Sequence, residues 1–178
     1  MREELLFSFR ALGALDAEAE RRVDEIIAEF AFNPDDDPFL LNRGTRQLLA
    51  LASTIVVAPP VIVLDEPTAE LDPASSVGVF DLLTRYAREH GTTVVVVEQK
   101  IALLSQYADM LVIVDEGRIR FADTPANVLA HSDELLAIGV NCPRATTLMN
   151  RLSADGIYAG PVCRNVEEAC DALLGVVA

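Results

Sequence analysis

Lysine occurs once in this chain, at position 100, and tryptophan not at all. A loop that cradles nucleotide phosphates in the pattern G-x-x-x-x-G-K-[ST] needs a lysine beside its second glycine to reach the β- and γ-oxygens. Lys100 follows Glu98-Gln99, so the sequence holds no such loop. Basic residues are scarce as a class. The 14 Lys+Arg face 28 Asp+Glu, and the net charge of −14 repels a phosphate backbone and disfavours nucleic-acid binding. The three cysteines, Cys142, Cys163 and Cys170, are odd in number and match no zinc spacing, so they read as small, partly buried thiols of a reducing cytosol. The only histidines, His90 and His131, fall at a helix end and in a linker, where surface positions explain them. Long apolar runs are missing too: the stretch from Leu48 to Leu64 is broken by Ser53, Thr54, Pro59 and Pro60. The first residues, Arg2-Glu3-Glu4, do not form a basic-then-apolar leader. Any membrane role is therefore expected to be peripheral.

What is present suits a packed globular chain of 178 residues, 51% hydrophobic and 24% charged. Leu5, Leu6, Phe9 and Leu12 recur at helical spacing. A second helix is expected to start at Asp16 as N-cap, with Val23, Ile26, Ile27 and Phe30 on one face. The acidic loop 33–38 interrupts, and a third helix is expected from Gly44 to Ala58, ended by Pro59-Pro60. The pattern then changes. Val61-Ile62-Val63-Leu64 reads as a strand buried on both faces of a parallel sheet, Thr92 to Val97 as a second buried strand and Met110 to Val114 as a further strand. None of the three shows polar alternation, so each needs cover on both faces. Between them lie a helix from about Pro73 to His90, with Gly91 as its C-cap, and a shorter one at Ile101 to Ala108. The turn Asp115 to Arg118 leads to a short strand at Ile119 to Phe121. After Thr124-Pro125 only short helices are expected. Strands alternating with helices indicate an α/β architecture.

The strongest chemical signal is Val61-Ile62-Val63-Leu64-Asp65-Glu66-Pro67-Thr68. Ligands of an open α/β sheet gather beyond the carboxyl ends of its strands, which is where Asp65 and Glu66 fall. Nucleotide hydrolysis needs one carboxylate for hydrated Mg²⁺ and another group to orient or deprotonate the attacking water, and adjacent carboxylates can divide those roles.

With Ala69-Glu70-Leu71-Asp72-Pro73 behind it, this segment resembles the Walker B motif and D-loop of ABC-type ATPases. Upstream, Leu41-Asn42-Arg43-Gly44-Thr45-Arg46-Gln47 occupies the place and spacing of that family's LSGGQ signature, a helix start whose unpaired N–H groups attract the γ-phosphate held on a dimer partner. It departs from the pattern. Asn42 stands for serine, Arg43 for the first glycine and Thr45 for glutamine, while Gly44 keeps the second glycine. Glu98-Gln99-Lys100 resembles the strand end that carries the family's switch histidine, with Gln99 in its place. Glutamine can hydrogen-bond to a γ-phosphate or to water but cannot take a proton at neutral pH. A structural polar residue at a strand end is the other reading of Gln99.

Within the family, Arg2-Glu3-Glu4-Leu5, Asp115-Glu116-Gly117-Arg118-Ile119 and Ile138-Gly139-Val140-Asn141-Cys142-Pro143 look like the ATPases of energy-coupling-factor transporters, which import vitamins or metal ions. The resemblance implies a partial P-loop NTPase (RecA-like) core with a parallel sheet, lacking the Walker A half. An α-helical subdomain at 1–57, the C-terminal part of the core at 58–126 and a small extension at 127–178 are expected. It implies ATP and Mg²⁺ as cofactors of an intact dimer, with Asp65 on the metal and Glu66 and Gln99 catalytic. Asn42, Arg43, Gly44, Thr45 and Asp72 would contact the nucleotide. The implied partners are a second ATPase subunit, identical or different, a transmembrane coupling subunit and a substrate-binding membrane subunit, at the cytoplasmic face of the membrane. Without the phosphate loop the isolated chain is expected to bind ATP negligibly and to expose apolar sheet surface. Two rivals remain: a soluble ABC-class ATPase of DNA repair or translation, and a non-catalytic module that donates its signature surface to a complete partner.

Overall fold

The computed structural model describes residues 1–177, with side chains through Gly175. The chain divides into two compact units, 1–98 and 99–178.

The first unit opens with α1 (Arg2–Ala11) and α2 (Ala17–Glu29). Asp16 caps α2 as its sequence implies, its Oδ1 accepting from the Ala19 N–H at 2.9 Å. A single 3₁₀ turn at Pro38–Leu40 precedes α3 (Arg43–Ile55), and β1 (Val61–Asp65), α4 (Pro73–His90) and β2 (Thr93–Val97) follow. Gly91 closes α4 in the left-handed region at φ +64°, a conformation glycine reaches without a Cβ clash. β1 and β2 run parallel, with Val61 opposite Thr93 and Asp65 opposite Val97. Helices α1 to α4 and the inner sheet face share one core, built on Leu5, Val23, Ala52, Ile55, Ile62, Leu64, Val79 and Leu83. Tyr86 is buried in it, and its hydroxyl donates to the Ile55 carbonyl at 2.8 Å, so the one polar atom the ring brings inside is satisfied.

The sheet exposes apolar surface on one face, as expected. Ile62 and Leu64 are buried, whereas Val61, Val63, Val95 and Val97 are 46–67% exposed. Side chains alternate along a strand, and only one of the two apolar faces has a neighbour.

The second unit contains α5 (Ile101–Tyr107), β3 (Leu111–Asp115), β4 (Arg118–Asp123), α6 (Pro125–Leu129), α7 (Ser132–Ala137), α8 (Arg144–Ala154) and α9 (Val166–Val177). The apolar run at 110–114 forms a strand followed by a turn and a shorter strand, as expected, and β3 pairs antiparallel with β4 in a two-stranded sheet of its own. The reason lies in the connection. Glu116 and Gly117 both adopt positive φ, +48° and +73°, the geometry of a two-residue hairpin turn that sends the chain straight back along β3. Thr124 and Pro125 start α6 as expected, with Thr124 as the capping residue. Two small cores follow, one around Leu111, Val128, Leu129 and Leu135, the other around Met149, Tyr158, Cys163 and Ala169. All three cysteines are unpaired. Cys163 is buried, and partial burial pushes the Cys142 thiol pKa up.

Candidate functional site

β1 ends at the paired carboxylates, and the turn that follows is bonded to α3 through Gln47. Asp65 is the last residue of β1 and is exposed. At Glu66 the chain turns out of the sheet. Its N–H still donates to the Val97 carbonyl at 2.8 Å, but its φ is +45°, a left-handed conformation uncommon for a residue with a side chain. The Glu66 carbonyl accepts twice, from the Ala69 N–H at 3.1 Å and from Gln47 Nε2 at 3.2 Å. Thr68, fully buried, donates its hydroxyl to the Glu98 carboxylate. That bond ties the turn after β1 to the end of β2.

The N-terminus of α3 lies in the same unit. Asn42 caps it: Oδ1 accepts from the Thr45 N–H at 2.9 Å and from Thr45 Oγ1 at 3.1 Å. Arg43, the first residue of the helix, has a side chain 82% exposed and sits 3.6 Å from the Glu70 carboxylate. A Cβ placed on Gly44 would meet Leu71 Cδ2 at 3.4 Å and the Glu70 carbonyl at 3.6 Å, ordinary contact distances. Asp72 caps α4, its Oδ1 accepting from the N–H groups of Ala74 and Ser75, both at 3.0 Å, and its Oδ2 from the Ser75 hydroxyl at 2.5 Å. The hydroxyl of Ser75, then its N–H, hold the Asp72 carboxyl below its ordinary pKa.

Gln99 belongs to the second unit, where its carbonyl accepts from the Ile101 N–H at 2.9 Å at the entry to α5. Of the histidines, His90 stacks on Tyr86 at a 4.2 Å centroid separation, and His131 Nδ1 lies 2.8 Å from the Glu134 carboxylate. Both positions read as structural. Among the described residues no group of three or more His, Cys, Asp or Glu is arranged to hold a metal by itself, and no helix is long and apolar enough to cross a membrane.

Two of the solved structures that resemble the chain are informative at this point. One is described as the structure of an ATP-binding subunit of an ABC transporter; it superposes with a TM-score of 0.65 at 22% identity and covers 79% of this chain and 57% of its own. The other is cbiO1 from Clostridium perfringens, part of the ABC transporter complex cbiONQ, with a TM-score of 0.60, 27% identity and coverage of 83% and 59%. This chain has, in part, the fold of an ABC-type ATPase. The ABC-type likeness extends to sequence. An energy-coupling-factor transporter ATP-binding protein, EcfA2 of Symbiobacterium thermophilum, is 35% identical over 99% of this chain and 62% of its own length. The chain spans 60–62% of the length of the curated relatives that lead the comparison. No protein-family model matches it.

Mg²⁺ takes hard oxygen ligands and is usually bound through one or two carboxylates plus water and substrate phosphates, and the exposed carboxylate of Asp65 is a donor of that type. For a nucleotide the fit is one-sided. The capped start of α3 offers N–H groups to an anion, whereas the sequence holds no glycine-rich loop with a lysine to cradle the remaining phosphates.

Sequence reading missed two contacts of this site. The bonds from Gln47 to Glu66 and from Thr68 to Glu98 span 19 and 30 residues, and no local spacing rule reaches that far.

Proposed function

We propose that the chain serves as part of the ATP-binding and ATP-hydrolysing subunit of an energy-coupling-factor importer of a vitamin or metal ion. It would sit peripherally at the cytoplasmic face of the membrane, with a second ATPase subunit, a coupling membrane protein and a substrate-binding membrane protein. The observation that carries this reading is the junction at the end of β1. Paired carboxylates leave a parallel strand there, and the same peptide is bonded to the helix whose N-terminus occupies the signature position.

In the proposed site Asp65 would hold Mg²⁺, which would neutralise charge on the phosphates. Glu66 orients and polarises the attacking water. For Gln99, the family resemblance alone supports a hydrogen bond to that water or to the γ-phosphate. The start of α3, residues 42–45, faces the γ-phosphate bound on the partner subunit, and Asp72 shapes the D-loop beside it.

Three measurements test the proposal. The chain alone titrated with Mg-ATP in a calorimeter is expected to show no saturable micromolar binding. Tagged chain expressed in its own cells is expected to recover, from detergent-solubilised membranes, a complete ATPase subunit and an integral membrane protein, in a complex that hydrolyses ATP. In that complex Glu66→Gln is expected to slow turnover by at least about 100-fold with nucleotide affinity retained, whereas Asp65→Asn weakens Mg²⁺-dependent binding itself. Recovery of nucleic acid in place of a membrane protein would overturn the transport reading. Unchanged turnover in Glu66→Gln would remove the catalytic assignment and leave the donated-signature role.

A further inference from the structure

We infer that Gln47 is a positioning residue for Glu66, holding the backbone from which that carboxylate projects and linking it to the helix that starts at the signature position. The inference rests on the reading of Glu66 given above.

Glu66 carries two conformational penalties. A positive φ brings Cβ close to neighbouring backbone oxygens, and the residue sits directly before Pro67, whose Cδ crowds the residue ahead of it. Such a conformation persists only where its surroundings over-determine it. Three bonds to its backbone groups are identifiable. Its N–H is held by Val97 of β2, and its carbonyl by the Ala69 N–H of the following turn. Pro67, next in the chain, has no N–H with which to add another. A further bond to that carbonyl is donated by Nε2 of Gln47, at 3.2 Å, from a different element.

The source of that bond gives it meaning. Gln47 lies on α3 between the capped N-terminus at Asn42 and Leu49, the first buried residue of the helix. Its side chain is half-buried, so its amide competes little with water. Movement of the α3 N-terminus, on engaging a phosphate or any other anion, therefore pulls on the Glu66 peptide through one side chain. An aliphatic residue of the same length would fill the space and transmit nothing. In this arrangement the state of the surface that serves a neighbouring subunit is felt at the carboxylate that serves the chain's own site.

Backbone hydrogen exchange on the chain as it stands, without nucleotide, tests this. Gln47→Leu is expected to lower the protection factor of the Ala69 amide, which shares the Glu66 carbonyl, and of the Glu66 amide by roughly five- to tenfold, with amides in the middle of α4 unchanged. Gln47→Glu supplies a switchable donor. With its carboxylate ionised it repels the Glu66 carbonyl and protection falls as in Gln47→Leu. Once the pH drops through the carboxyl's own titration, the protonated group donates and protection returns, a pH response absent from Gln47→Leu. Unchanged protection in Gln47→Leu overturns the inference. So does a loss spread evenly over α4, which would mean that Gln47 only helps the unit to fold, or a Gln47→Glu variant that ignores pH. Because no ATP is used, failure here leaves the hydrolysis reading standing, and failure of that reading in the membrane complex leaves this result intact.

Discussion

A single side-chain oxygen, Oδ1 of Asn42, accepts two hydrogen bonds from Thr45 at the start of α3. Truncating it leaves the Thr45 N–H without its cap, so Asn42→Ala is expected to lower stability by about 1 kcal/mol, and Asn42→Ser by less. A shifted urea midpoint at unchanged slope is the measurement. Two positions on, Gly44 separates fold from ligand. A methyl group there meets only ordinary contacts, and alanine favours helix, so Gly44→Ala should leave the midpoint unchanged or raise it, by up to about 1 kcal/mol. If the same variant lowers ATP turnover in the membrane complex, the glycine is needed for the close approach of a phosphate and not for folding. A fall in the midpoint would overturn that separation. Arg43, exposed and paired with Glu70 at 3.6 Å, should contribute little to stability either way, because surface ion pairs of this kind are worth about 0–1 kcal/mol.

At the scale of elements, the two-stranded parallel sheet has one face in the core of its unit and the other, with Val61, Val63, Val95 and Val97, open. A contiguous apolar patch of this kind favours association. The chain is therefore expected to self-associate at micromolar concentration in sedimentation velocity. Val63→Lys combined with Val95→Glu, a registered cross-strand pair of opposite charge, should shift it towards monomer without changing its circular dichroism. A wild-type chain that stays monomeric would contradict the expectation. Caps and helices were legible locally, since Asp16, Asn42, Asp72 and Thr124 each announce a helix by a short polar side chain ahead of it. Strand partners were not. The strand at 110–114, the turn at 115–118 and the short strand after it were legible, whereas the separation of this pair from the parallel sheet is not written in the apolar run itself. The paired carboxylates of the site were legible for the opposite reason: Asp65 and Glu66 are neighbours in sequence, whereas the bond that fixes Glu66 in place comes from Gln47.

Over the whole molecule, acid excess sets the response to pH. Several carboxyls are held below their ordinary pKa, among them Asp72 by the Ser75 hydroxyl and Asp123 by the Thr124 N–H and the Asn127 amide, one in each unit. A carboxyl depressed in the folded state adds stability above its unfolded pKa, about 3.9 for aspartate, and loses it as pH falls through the lower folded value. The melting temperature is accordingly expected to stay level from about pH 8 to 5 and to drop below about pH 4, followed by circular dichroism. A melting temperature that rises on acidification to pH 3 would contradict this. The net charge of −14 acts the other way at neutral pH, since self-repulsion among so many carboxylates is relieved by salt.

The lone lysine has a practical consequence. Lys100 is exposed and lies one residue beyond Gln99, where the second unit begins. A lysine-specific endoproteinase has a single bond to cut, and it would release fragments 1–100 and 101–178, each with its own buried clusters. The same ε-amine is the only side-chain target for an amine-reactive dye. The chain thus comes with a ready-made scission point and a ready-made reporter at the joint between its two halves, and either can be used without altering a residue.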